Sequence, residues 1–242
     1  MKLPSRPSVP KSTATLTGIG LLLGSIFIPI TASAAVTQPS AAAHISFTFD
    51  DGLASAYTTA APTLAAHGLV GTDYIITDCV GMTTAPNACP ADTGVPYMTW
   101  DQVTQLQNTY GWEIGGHTKS HPQLATDNLT DAQLVEQVAG GKQALVSHGF
   151  NPVSFATPYG DYDNRVLAEI AKSYANHRGF WDVDPNVWPY NDYLINDMQV
   201  QAGVTVDQVK AKIDAAIAGN QWLVLTFHEI RANASTNAQD YQ

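Results

Sequence analysis

Apolar and polar positions alternate over residues 44–49, a period of two that predicts a strand, and the run ends in Asp50-Asp51-Gly52. Residues 54–67 are Ala-rich and predict a helix that stops at Gly68. Residues 70–76 predict a buried strand. A long loop over residues 77–97 follows, carrying glycine, proline and both cysteines. Three segments have the form of a capping box: Thr99-Trp100-Asp101-Gln102, Thr130-Asp131-Ala132-Gln133 and Thr205-Val206-Asp207-Gln208. They predict helices running to about residues 110, 148 and 218. Further strands are expected over residues 112–114, 153–156, 177–180, 198–200 and 222–227, with a helix over 164–174. Strand and helix alternate throughout. That order predicts an α/β fold with a parallel sheet, open or closed into a barrel, with no internal repeat.

The polar clusters fall at one kind of place. Asp50 and Asp51 follow the first strand, His117 and His121 the third, Tyr159 the fourth and His228 the last. In a parallel α/β sheet those strand ends share one face, where active sites form. His117 and His121 are four positions apart, and on a helical turn both rings would face one way and could share a metal. The alternative is two surface histidines on a loop. The carboxylate pair on the same face favours the metal. Two histidines and one aspartate leave a zinc-like site open to a water, which a metal can activate near neutral pH. The remaining carboxylate can act as a general base, and His228 is a candidate acid. His44, His67, His148 and His177 have no comparable setting and read as structural or surface residues. Tyr57, Tyr97, Trp181 and Trp188 could stack on sugar rings or fill the core.

The 242 residues, 45% apolar, suit one domain of moderate size. Eleven basic residues face 21 acidic ones and form no cluster, which excludes nucleic acid as a partner. Residues 1–34 read as a signal peptide: Lys2, Arg6 and Lys11 precede an apolar run over 16–30, and Ala32-Ser33-Ala34 supplies a cleavage pattern. The run is 15 residues, short for a membrane span, and a retained anchor is the alternative. Residues 35–43 read as a linker and 44–242 as the catalytic domain. The exported chain would keep 8 basic residues against 21 acidic, a net charge of −13. Secretion or retention in the cell envelope is expected. In that oxidising setting Cys79 and Cys89, the only cysteines, are expected to form a disulfide.

With these motifs in place the chain resembles the polysaccharide deacetylases of carbohydrate esterase family 4, over residues 45–230. Thr48-Phe49-Asp50-Asp51-Gly52 is similar to the family's first motif, which implies Asp50 as the base and Asp51 as a metal ligand. His117-Thr118-Lys119-Ser120-His121 is similar to the second, implying both histidines as ligands. Pro158-Tyr159-Gly160 resembles the third, where the backbone amide of the aromatic residue helps hold an oxyanion. Leu225-Thr226-Phe227-His228 resembles the last, which implies His228 as the acid. The resemblance implies a distorted, incomplete (β/α) barrel and one divalent ion, zinc first, with cobalt, nickel or manganese as alternatives. It implies a monomer acting on an acetylated polysaccharide or oligosaccharide of chitin or peptidoglycan type.

The chain departs from the family pattern at three points. The arginine that braces the base in the third motif is replaced by Ala156. The acidic residue that tunes the last histidine has no clear match, Asp182 and Asp184 being the candidates. The chain stops at Gln242 where the family usually continues, which suggests a C-terminally truncated member. A carbohydrate-binding pseudoenzyme is therefore the alternative function. A glycosidase built on Asp50 and Asp51 is disfavoured, because adjacent residues are badly placed to straddle a glycosidic bond.

Overall fold

The structure, a computed structural model, describes residues 42–83, 89, 95–180 and 185–230. The expected signal peptide, most of the linker, Trp181, Asp182, Asp184 and the tail beyond residue 230 lie outside these residues. Seven parallel strands form one sheet in the order β5-β4-β3-β2-β1-β7-β6. They are β1 His44–Asp51, β2 Thr72–Ile75, β3 Glu113–Gly116, β4 Ser154–Ala156, β5 Asn176–Arg178, β6 Met198–Gln199 and β7 Trp222–Phe227. The sheet curls into an incomplete (β/α) barrel. Its two edges approach each other where Arg178 of β5 bridges Ile195, just ahead of β6.

All three capping boxes form. Thr99, Thr130 and Thr205 each accept a backbone N–H from the glutamine three residues on, and that glutamine's side chain accepts the threonine's own N–H. They open α2 Trp100–Tyr110, α3 Asp131–Val135 and α6 Val206–Gly219. α3 continues through a π-helical turn, Glu136–Gly140, into α4 Gly141–Ser147. A similar turn, Ala56–Ala60, precedes α1 Ala61–Ala65, and α5 spans Asn164–Ile170.

Alternation along the strands sorts the side chains. Phe49 packs outward with Trp112 and Phe227, at ring-centroid distances of 4.9 and 5.2 Å, in the layer between sheet and helices. Thr48 points the other way, and its hydroxyl pairs with that of Thr226 on β7 at 3.0 Å. Asp50, Tyr74 and Gly115 stand side by side across β1, β2 and β3. Gly115 lacks a side chain because the Tyr74 ring occupies the space a Cβ would fill, and Gly116 is filled likewise by Tyr174. The barrel interior is thus polar at its top, and the apolar core lies mainly outside it.

Cys79 and Cys89 form a disulfide, with Cα atoms 5.8 Å apart, in a small cluster with Leu53, Ile76, Val95 and Tyr97. The bridge ties the long loop to the end of β2. Closing a loop of 10 residues stabilises the fold by about 2–3 kcal/mol. The Cys79→Ser/Cys89→Ser double variant should lose that much in reversible denaturant unfolding, and an unchanged midpoint would show that the loop is held by its packing alone.

Candidate active site

The residues at the strand tops converge. Asp51 Oδ1 lies 3.4 Å from His117 Nε2 and 3.3 Å from His121 Nε2, and the two Nε2 atoms are 3.1 Å apart. All three side chains are buried. His117 Nδ1 is 2.8 Å from the Ala156 carbonyl, to which it donates, and this fixes the tautomer with the Nε2 lone pair facing its partners. Burial lowers the pKa of His121, so its ring is neutral near pH 7. Burial acts to raise Asp51, but His121, His117 and His228 outweigh it and hold the carboxyl well below the usual range. Asp51 Oδ1 has no hydrogen-bond partner. A buried acceptor without a donor, facing two imidazole nitrogens, is a donor set that fits a divalent cation.

The two histidines do not meet on a helical turn as the spacing suggested. Residues 117–121 form an irregular loop, with Thr118 at φ 67° and His121 at φ 63°. The loop is closed by the His121 N–H donating to Thr118 Oγ1 at 2.8 Å. Asp51 (φ 77°) and Tyr159 (φ 57°) are also left-handed. Of the six non-glycine residues with positive φ among those described, these four line the site and the other two are asparagines, which tolerate the conformation. Local backbone strain is therefore concentrated at the strand tops, where it turns side chains that would otherwise follow the strand pattern. The Tyr159 ring lies edge-on to His121 at 4.5 Å.

Asp50 faces the other way, into the barrel. Arg178 Nη2 donates to both of its carboxylate oxygens, at 2.5 and 2.6 Å. Arg178 also donates from Nη1 to Asp197 Oδ2 at 3.2 Å and to the Gly179 carbonyl at 2.7 Å, and its guanidinium lies 5.0 Å from the centre of the Tyr74 ring. Arg178 and Asp197 are fully buried. Burial pushes Asp197 up to about 6, against the pull of Arg178 and His228. His228 Nε2 stands 4.0 Å from Asp50 Oδ2, with its ring edge-on to Phe180 at 5.4 Å.

This corrects two expectations. A bracing arginine is present, supplied by β5, one strand along from Ala156; the two residues are direct neighbours in the sheet. An acidic residue within electrostatic reach of His228 is present as Asp197, ahead of β6. Neither was found by motif, because each reaches the site across the barrel. The expected sugar-stacking residues separate. Tyr97 is core, and the Tyr57 hydroxyl donates to Gln105. Trp188 is half exposed at the opposite end of the sheet.

A family model for polysaccharide deacetylase matches residues 37–176, more than half of the chain. The chain belongs to the polysaccharide deacetylase family. Among curated members of the family, it is 35% identical over 127 residues to chitin deacetylase 3 of Cryptococcus neoformans, 51% of this chain and 29% of that protein. The match thus spans under a third of that relative's length. A deacetylase of Streptococcus pyogenes, solved with acetate, has a similar fold, with a TM-score of 0.59 at 19% identity and 69% of each chain covered. A family 4 carbohydrate esterase from Streptomyces lividans, also solved with acetate, has a TM-score of 0.54 at 19% identity, covering 78% of this chain and 81% of the other.

His177 is buried and structural. Its Nδ1 donates to the Tyr193 carbonyl at 2.8 Å, and its Nε2 accepts the Thr157 hydroxyl at 2.9 Å, bracing the turn that carries Tyr159. Burial pushes its pKa from 6.5 down to about 4. The unfolded chain therefore binds this proton first, and stability that is present above pH 6.5 is lost as pH falls toward 4. The loss at pH 5 is about 2 kcal/mol. His177→Gln offers one donor and one acceptor in place of the ring without titrating, so its denaturation should show a drop between pH 7 and 5 smaller by that amount. An equal drop would remove His177 as the acid-sensitive group.

Proposed function

We propose that the protein is a secreted, metal-dependent deacetylase that removes acetyl groups from an N-acetylglucosamine-containing glycan of chitin or peptidoglycan type. The observation that carries this reading is the division of two adjacent carboxylates: Asp51 joins two histidines in a donor set that fits a cation, and Asp50 pairs with a buried arginine. Family membership and the similarity to a chitin deacetylase support the substrate class. The disulfide and the N-terminal pattern support an extracellular or envelope setting.

Asp51, His117 and His121 would hold the ion. A divalent ion there, zinc first, would supply Lewis-acid polarisation of the acetyl carbonyl and acidify water. Asp50 accepts a proton from the attacking water, whose oxygen adds to the acetyl carbon. The Tyr159 amide, following Pro158, helps hold the oxyanion. Protonated His228 gives its proton to the departing nitrogen as the carbon–nitrogen bond breaks. Acetic acid and a free amine result; the acid loses its proton to solvent to leave as acetate, and the proton on Asp50 restores His228. Arg178 keeps the Asp50 carboxylate aimed throughout. With that arginine in place, the missing arginine at Ala156 no longer favours a binding-only protein.

Asp51→Ala, His117→Ala and His121→Ala should each lose most bound metal, since three ligands are few to begin with. Metal content of the purified variants checks this, and a full equivalent in all three would place the site elsewhere. Asp50→Asn should keep its metal while acetate release from chitin oligosaccharides falls by at least about a hundredfold. Metal loss in that variant would mean the two aspartates share one role.

A further inference from the structure

The bottom of the sheet carries a second concave surface. β1 runs from His44 at this end to Asp50 at the other, six steps of about 3.3 Å, so the two sites lie roughly 20 Å apart. The cleft has a volume of about 420 Å³, and its walls include Trp188, Tyr190, Trp222, Asn220, Gln221 and His44. The three aromatic rings form a continuous array. Trp188 meets Tyr190 edge-on at 5.5 Å, and Tyr190 lies 5.2 Å from Trp222.

The array is firmly mounted. The Trp222 indole N–H donates to Ser46 Oγ at 2.9 Å. The Asn186 side chain donates to the carbonyls of Asn196 and Trp222 and accepts the Asn196 N–H. The segment bearing Trp188 and Tyr190 is thereby tied to the start of β7. Yet Trp188 remains 52% exposed. A large apolar ring held in solvent on a fixed mount is poised to cover something.

The lining selects the ligand class. Among the described residues, no Asp, Glu, Lys or Arg lines the cleft, in a chain whose net charge is −10. A charged ligand would find no oppositely charged Asp, Glu, Lys or Arg among these lining residues. The apolar C–H faces of pyranose rings fit against indole and phenol faces, and the Asn220 and Gln221 amides can meet hydroxyl or acetamido groups at the ring edges. We propose that this cleft is a second glycan site, distinct from the catalytic one, that holds a run of uncharged pyranose units of a polymer. The separation of the two sites makes it serve long or insoluble chains and not short oligosaccharides.

The test uses the full chain and Trp188→Ala, Trp188→Tyr and Tyr190→Ala. Retention is measured on insoluble chitin and on peptidoglycan sacculi, beside acetate release from a soluble trimer of N-acetylglucosamine. Retention needs no turnover, so it reads this site even if the proposed catalysis fails. The wild type should be retained, and both alanine variants should bind at least about tenfold more weakly, a loss in keeping with one buried aromatic contact. Trp188→Tyr should restore binding, and trimer turnover should be unchanged in all. Retention of Trp188→Ala equal to wild type, or no wild-type retention on either polymer, would overturn the proposal. So would equal loss on trimer and polymer without rescue by tyrosine, which indicates a structural role. A changed oligomeric state of Trp188→Ala in light scattering, with retention unaltered, would assign the face to a second copy of the chain instead.

Discussion

Two carboxylates adjacent in sequence, both buried, cannot both stay ionised without separate compensation. The fold resolves this by turning them apart. Asp50 follows the strand into the barrel and meets Arg178, and Asp51, in a left-handed conformation, meets His117 and His121. The surrounding structure follows from this separation. Arg178 needs its own second anion and finds Asp197. Its guanidinium needs a face to lie against and finds Tyr74, whose ring needs Gly115 on the next strand. A chain of contacts thus runs from a glycine on β3 to the carboxylate on β1. Loss of one partner from a buried pair of this kind costs about 3–5 kcal/mol, so each member of the network also carries part of the fold's stability.

The backbone shows the same constraint. Strand alternation would place neighbouring side chains on opposite faces of the sheet, and a compact Asp-His-His cluster needs them on one end. Left-handed residues at Asp51, Thr118, His121 and Tyr159 make that change of direction. Each is unfavourable by itself and is held by local hydrogen bonds, such as that from His121 N–H to Thr118 Oγ1. His177 and Thr157 brace the last of these turns from below.

The alternation of strand and helix, the three capping boxes and the placement of polar residues at strand ends could all be read from the sequence, because each depends on residues close along the chain. Arg178 could not. It pairs with a residue 128 positions earlier, on a strand of three residues that offers no periodic signal. Asp197 joins the network only because Arg178 bridges to Ile195 and carries the segment before β6 across the gap in the barrel. The spacing of His117 and His121 suggested a helical turn, and the same convergence is reached by an irregular loop, since i, i+4 spacing does not distinguish the two. Trp188 could be read as a sugar-stacking or a core aromatic, but its place at the far end of the sheet depends on Asn186 and Trp222, which pair only in the folded chain.

The central claim is that Arg178 acts on Asp50 and not on the ligand cluster beside it. Arg178→Gln tests it most directly, with bound metal and acetate release measured on the same folded preparation. The account predicts a full metal equivalent and a turnover lower by at least about a hundredfold, because the general base loses its aim. Near-normal turnover, or loss of metal along with activity, would contradict it.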